Sequence, residues 1–142
     1  MGRFKLLADL PQEGPLWEHV VKELKKKALL KNNLYFRTIS YYRLKETLQN
    51  GTDRDNNSNL EYNDNEKELM TREGLSPFIQ KDRVTWITKI EYLKRDFGKQ
   101  KPYAIVIYDG DCLKILNTAN GFAMFIAPFI QQRALLAVFK RD

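Results

Sequence analysis

Arg37 is the residue of this chain best placed to do chemistry. It lies in Asn33–Gly51, NLYFRTISYYRLKETLQNG, near the end of an apparent strand and just ahead of a helix. An arginine so placed suits an anionic ligand, because its planar fork of donors matches carboxylate and phosphate oxygens. Glu91 and Lys94 would suit a metal-dependent nuclease, but no correctly spaced aspartate precedes them. Cys112 has no histidine near it in sequence to activate it, since His19 is the one histidine in the chain. A lone histidine without a cysteine or acidic cluster builds no histidine-based metal site. Phosphate-loop, nucleophile-elbow and cysteine-rich zinc patterns do not occur.

Asp109-Gly110-Asp111 follows an apolar run, which resembles the nucleophile and magnesium ligand of haloacid-dehalogenase-like phosphatases. That chemistry needs lysine and acidic partners from later strands. After Asp111 the next acidic residue is Asp142, so the motif reads as a polar turn closing a strand. The Asp and Asn spacing after Gly51 is loosely similar to a calcium loop, with the required glycine and closing glutamate out of register.

A chain of 142 residues, 43% of them hydrophobic, fits one domain with a substantial core. No apolar run is long enough to span a bilayer. The start, MGRFKLLADLPQEG, lacks signal-peptide organisation, and a single cysteine fits a reducing compartment, so a cytoplasmic protein is expected. The net charge of +6 is uneven. Residues 1–50 carry ten basic and five acidic side chains, and residues 51–76 carry three and seven. A basic surface can attract phosphate-bearing partners, or serve only for solubility.

The elements that would position these residues follow from periodicity. Pro15–Leu30 reads as a helix with an apolar stripe of Trp17, Val20, Val21, Leu24 and Ala28. Its lysines, Lys22, Lys25, Lys26 and Lys27, take the other side. Leu34–Ile39 alternates as a strand, Ser40 stands at a helix N-cap, and Gly51 ends a helix whose face is Tyr41, Leu44 and Leu48. Residues 51–74 read as a mobile loop. Arg83–Thr88 reads as a strand, with Thr88 and Glu91 forming a capping box for a helix over Ile90, Leu93 and Phe97. Tyr103–Tyr108 and Ala134–Phe139 are apolar strands, with room for a further short strand between them. The expected class is α+β, one domain over 1–142.

This order of elements resembles the ADP-ribosyltransferase-like family. LYFRTIS followed by LKETLQNG is similar to its first core strand, with a basic residue, and the helix after it. VTWITKIEYLKRDFG and YAIVIYD are similar to the hydroxyl-bearing strand and its successor. QQRALLAVF is similar to the last strand. The resemblance implies a compact pair of mixed sheets with flanking helices around NAD. It also implies Arg37 on a phosphate or ribose with Thr38 beside it, Thr88 at the nicotinamide end (Thr85 the less favoured choice), and Gln131 opening the last motif. Tyr42 or Trp86 would stack on a ring. The family's catalytic glutamate falls on Arg133, and no glutamate occurs after Glu91. Arginine opposes a developing oxocarbenium ion, so catalytic residues stay unassigned and efficient transfer is not expected. The competing expectation is a non-catalytic basic module binding nucleic acid or an acidic protein through its lysine-bearing first helix and basic C-terminal half. Each site residue also has a plain reading: Arg37 as an ion-pair partner, Thr88 as a cap, Arg133 as an edge-strand charge, and the aromatics as core.

Overall fold

A computed structural model describes residues 5–12, 14–51, 64–72, 84–94, 102–113, 115–117, 124–128, 130 and 132–141. The strands are β1 (Leu6–Asp9), β2 (Leu34–Ile39), β3 (Val84–Lys89), β4 (Ala104–Asp109), β5 (Leu116–Asn117), β6 (Met124–Pro128) and β7 (Leu135–Lys140). The helices are α1 (Leu16–Lys26), α2 (Tyr41–Asn50) and α3 (Asp64–Arg72). The class is α+β. The strands form a seven-stranded sheet ordered β1-β7-β4-β2-β3-β6-β5, where the family resemblance implied a pair of sheets. β1 runs parallel to β7, and the other pairings are antiparallel.

β4 lies inside the sheet between β7 and β2 and is apolar on both sides, and Ala104–Tyr108 are fully buried. One face gathers Leu34, Phe36, Ile105, Ile107 and Phe139 beneath Leu16, Val20 and Leu24 of α1. The other gathers Tyr35, Ile39, Val106, Tyr108 and Val138 beneath Leu44 of α2. β7 shifts register against β4 between Ile107 and Tyr108. This bulge puts Leu136 and Ala137, neighbours in sequence, on the same face, beneath α1.

α1 is shorter than its pattern suggested. Pro15 is its N-cap and Lys27 its C-cap. Ala28 N–H donates to the Lys25 carbonyl at 3.1 Å, and Leu29 N–H to the Leu24 carbonyl at 2.9 Å. These paired bonds form a Schellman ending, with Ala28 at the left-handed position (φ 55) where glycine is usual. α2 ends as expected at Gly51 (φ 90), but Ser40 makes no side-chain cap bond. Tyr41, expected on the buried face of α2, is exposed.

Three further departures have local causes. α3 falls inside the segment 51–74 that reads as a loop. Its polar sequence DNEKELMTR conceals one deep anchor, since Met70 is fully buried. The expected helix after β3 is a 3₁₀ turn over Ile90–Lys94, and residues 95–100 lie outside the described residues. Thr88 therefore sits within β3, which runs to Lys89, rather than at a cap. β1 has no counterpart in the sequence reading, because four residues are too few to declare a period.

Candidate functional site

β2 and β3 hold Arg37, Thr38 and Thr88, and the way they pair decides which can act together. The two strands share two register pairs, Tyr35 with Lys89 and Phe36 with Thr88. Among the described residues the pairing goes no further. Arg37, Thr38 and Ile39 continue against Val106, Ile105 and Ala104 of β4. Val84–Ile87 continue against β6. The sheet therefore forks at Phe36/Thr88, and Arg37 is the first residue of β2 beyond the junction.

Opposed residues of an antiparallel pair share a face, and successive residues alternate. Thr88 shares the face of Phe36, as does Thr38, which is exposed. Arg37 lies on the other face with Tyr35 and Ile39 and is half-buried. The family resemblance grouped Arg37 with Thr88, and the register puts them on opposite faces. Ile87 packs in the same cluster as Tyr35 and Ile39. Thr85, two residues earlier and 4% exposed, follows the same alternation onto Arg37's side. Thr85, the less favoured hydroxyl, is thus the one that shares a face with Arg37. The clue was parity, since Thr88 counts with Phe36 once the register is known. Gln131 and the side chain of Trp86 lie outside the described residues.

Gln132 is half-buried and donates from Nε2 to the Leu48 carbonyl at 2.6 Å. Arg133 is exposed in a 3₁₀ turn, Gln132–Ala134, ahead of β7. The C-terminus of α2 is further tied by the Tyr108 hydroxyl, which donates to the Gly51 carbonyl at 2.9 Å. Tyr35 has its phenol pKa raised, first by burial and then by the charge of Glu91. It stays neutral and acts as part of the wall.

The Asp109-Gly110-Asp111 turn is occupied by its own neighbours. Lys31 Nζ lies 2.6 Å from Asp109 Oδ1 and 3.0 Å from Asp111 Oδ2, and Asn33 Nδ2 donates to Asp111 Oδ1 at 2.9 Å. The Asp111 carboxyl is held below its usual range by the Asn33 hydrogen bond and then by Lys31. Cys112 is exposed, its Sγ 3.7 Å from Asp109 Oδ2. Among the described residues no group of three or more His, Cys, Asp or Glu could hold a metal ion. His19 Nε2 lies 2.7 Å from the Asp9 carbonyl oxygen, with its ring edge-on to Phe139. On α1, Lys22, Lys25, Lys26 and Lys27 are exposed, and Lys26 pairs with Glu23 at 3.5 Å. No helix among the described residues is long and apolar enough to cross a membrane.

No protein-family model, no curated protein and no solved structure matches the chain.

Proposed function

We propose that the chain binds NAD or a related nucleotide at the fork between β2 and β3, and that it does so without efficient ADP-ribose transfer. The observation that carries this reading is the fork itself. Arg37 stands on one prong and Thr85 on the other, on the same face, where the backbones stop pairing. A guanidinium there suits a pyrophosphate, and a nearly buried hydroxyl suits the sugar or amide end of the ligand. The similarity of LYFRTIS and VTWITK to the two NAD-contacting strands of the ADP-ribosyltransferase-like family supports the same choice, with Thr85 in the role first given to Thr88. Transfer would need a carboxylate near the departing nicotinamide, and the matching position is Arg133.

Isothermal titration of the protein with NAD tests the reading. Saturable binding is expected. It should weaken tenfold or more in Arg37→Ala, on the order of 1.4 kcal/mol, weaken in Thr85→Val, and stay unchanged in Thr88→Val. Nicotinamide release should remain at background. Absence of saturable binding, or equal affinity in Arg37→Ala, would overturn it.

A further inference from the structure

Among the described residues, four large hydrophobic side chains are exposed: Leu7, Leu30, Tyr41 and Tyr42. Leu7 and Leu30 stand singly. The tyrosines do not. Tyr41 is 66% exposed and Tyr42 is 90% exposed, with ring centroids 6.0 Å apart and planes at 87°. Tyr41 also meets Tyr103 edge-on, at 5.1 Å and 77°. Three aromatic rings thus run in sequence across the corner where β2 ends, α2 begins and β4 starts. The packing of α2 does not explain two of them, because the helix buries itself through Leu44 and Thr47.

The charge around this corner favours one class of partner. Lys45 is exposed and follows Tyr41 by four residues and Tyr42 by three, so it shares their helical surface. Lys140 stands opposite Ala104, the residue after Tyr103. The Arg141 N–H donates to the Tyr103 carbonyl at 2.9 Å, and its guanidinium bonds the Pro102 and Pro11 carbonyls. Acidic groups among the described residues include Asp9, opposite Lys140 on β1, and half-buried Glu46 on α2. Among these described residues, cations outnumber acids, in a chain of net charge +6.

We infer that Tyr41, Tyr42 and Tyr103 form a stacking platform for single-stranded nucleic acid, with Lys45, Lys140 and Arg141 facing its phosphates. Unpaired bases offer the π-faces that exposed tyrosines stack against, and flanking cations follow the backbone. A duplex hides those faces. This site is separable from the nucleotide reading above, because Tyr41→Ala leaves Arg37 and Tyr42 in place and Arg37→Ala leaves the rings in place.

Fluorescence anisotropy with a labelled oligothymidylate of about 12 nucleotides tests it. Saturable binding that falls as salt rises is expected. Tyr42→Ala and Tyr41→Ala should each weaken binding roughly fivefold or more, Tyr42→Trp should retain it, and Lys45→Gln should lower the salt slope by about one. The melting temperature of Tyr42→Ala should match that of the unaltered protein, since the ring is almost wholly in solvent. No saturable binding at low salt would overturn the inference. So would duplex binding as tight as single-strand binding, or affinity indifferent to both tyrosines and lost only when Lys22, Lys25, Lys26 and Lys27 are neutralised.

Discussion

The Tyr108 hydroxyl, on β4, reaches the Gly51 carbonyl at the end of α2 and donates to it across 2.9 Å in a buried setting. The bond ties the glycine-terminated end of α2 to a strand that contributes to both cores. Tyr108→Phe keeps the ring and removes the donor, leaving a buried carbonyl without this partner. It should destabilise the fold by about 1–2 kcal/mol, read from urea denaturation. Amide exchange should quicken first at the end of α2, and equal exchange there would argue that Gln132 alone holds the helix.

Gly110 is a steric requirement. A Cβ at this position would lie 2.5 Å from Tyr35 Cε2 and 2.7 Å from the Asn33 carbonyl oxygen. Its own N–H also donates to that oxygen at 2.7 Å. A ring can swing aside, but a backbone carbonyl cannot move without opening β2. Gly110→Ala should therefore cost about 1–3 kcal/mol. Thermal melting that matches the unaltered protein would refute this.

Lys31, Asp109 and Asp111 predict a pH window. The Lys31 pKa is raised, first by its hydrogen bond to Asp109 and then by that to Asp111. Asp111 is lowered, first by Asn33. A lowered carboxyl stabilises the fold above its unfolded pKa and loses that contribution as pH falls through the folded value. A raised lysine stabilises below its unfolded pKa and loses the contribution as pH climbs through the folded value. The cluster is therefore fully effective between about pH 4 and pH 10. The melting-temperature gap between the unaltered protein and Lys31→Gln should be widest in that window and close at both ends. The groups are exposed, so added salt should shrink the gap.

Ala28 is the one non-glycine with positive φ among the described residues. The left-handed region costs an L-residue about 1 kcal/mol, and glycine avoids this. Ala28→Gly should raise stability by up to about 1 kcal/mol without altering the paired bonds that end α1, checked by denaturant midpoint.

Patterns with a strong local period were legible in the sequence. The stripe of α1 announced Val20 and Leu24, and the run YAIVIY announced the doubly covered β4. Gly51 was legible for its own reason, as the left-handed end of a helix. What could not be read was register. Nothing local says that Phe36 stands opposite Thr88, and that single pairing puts Thr88 on the face opposite Arg37 and Thr85 on the same face. α3 escaped notice because DNEKELMTR is too polar to set a helical period, and Met70 is the anchor among its described side chains. The helix expected after β3 mistook a strand threonine for a cap, since T-x-x-E satisfies both descriptions.

The pairing of Leu6 with Ala137 has a kinetic consequence. Strand one borders only strand seven, so it has no ladder to join until nearly all of the intervening polypeptide has been ordered. α1 buries its stripe partly against the same last strand, through Leu136 and Phe139. Loop closure of that span precedes any reward from the contact, which places this topology among the slower folders, in the millisecond-to-second range. A ribosome would release the opening segment long before its docking surface exists, and chaperone capture of the nascent chain should persist until β7 emerges.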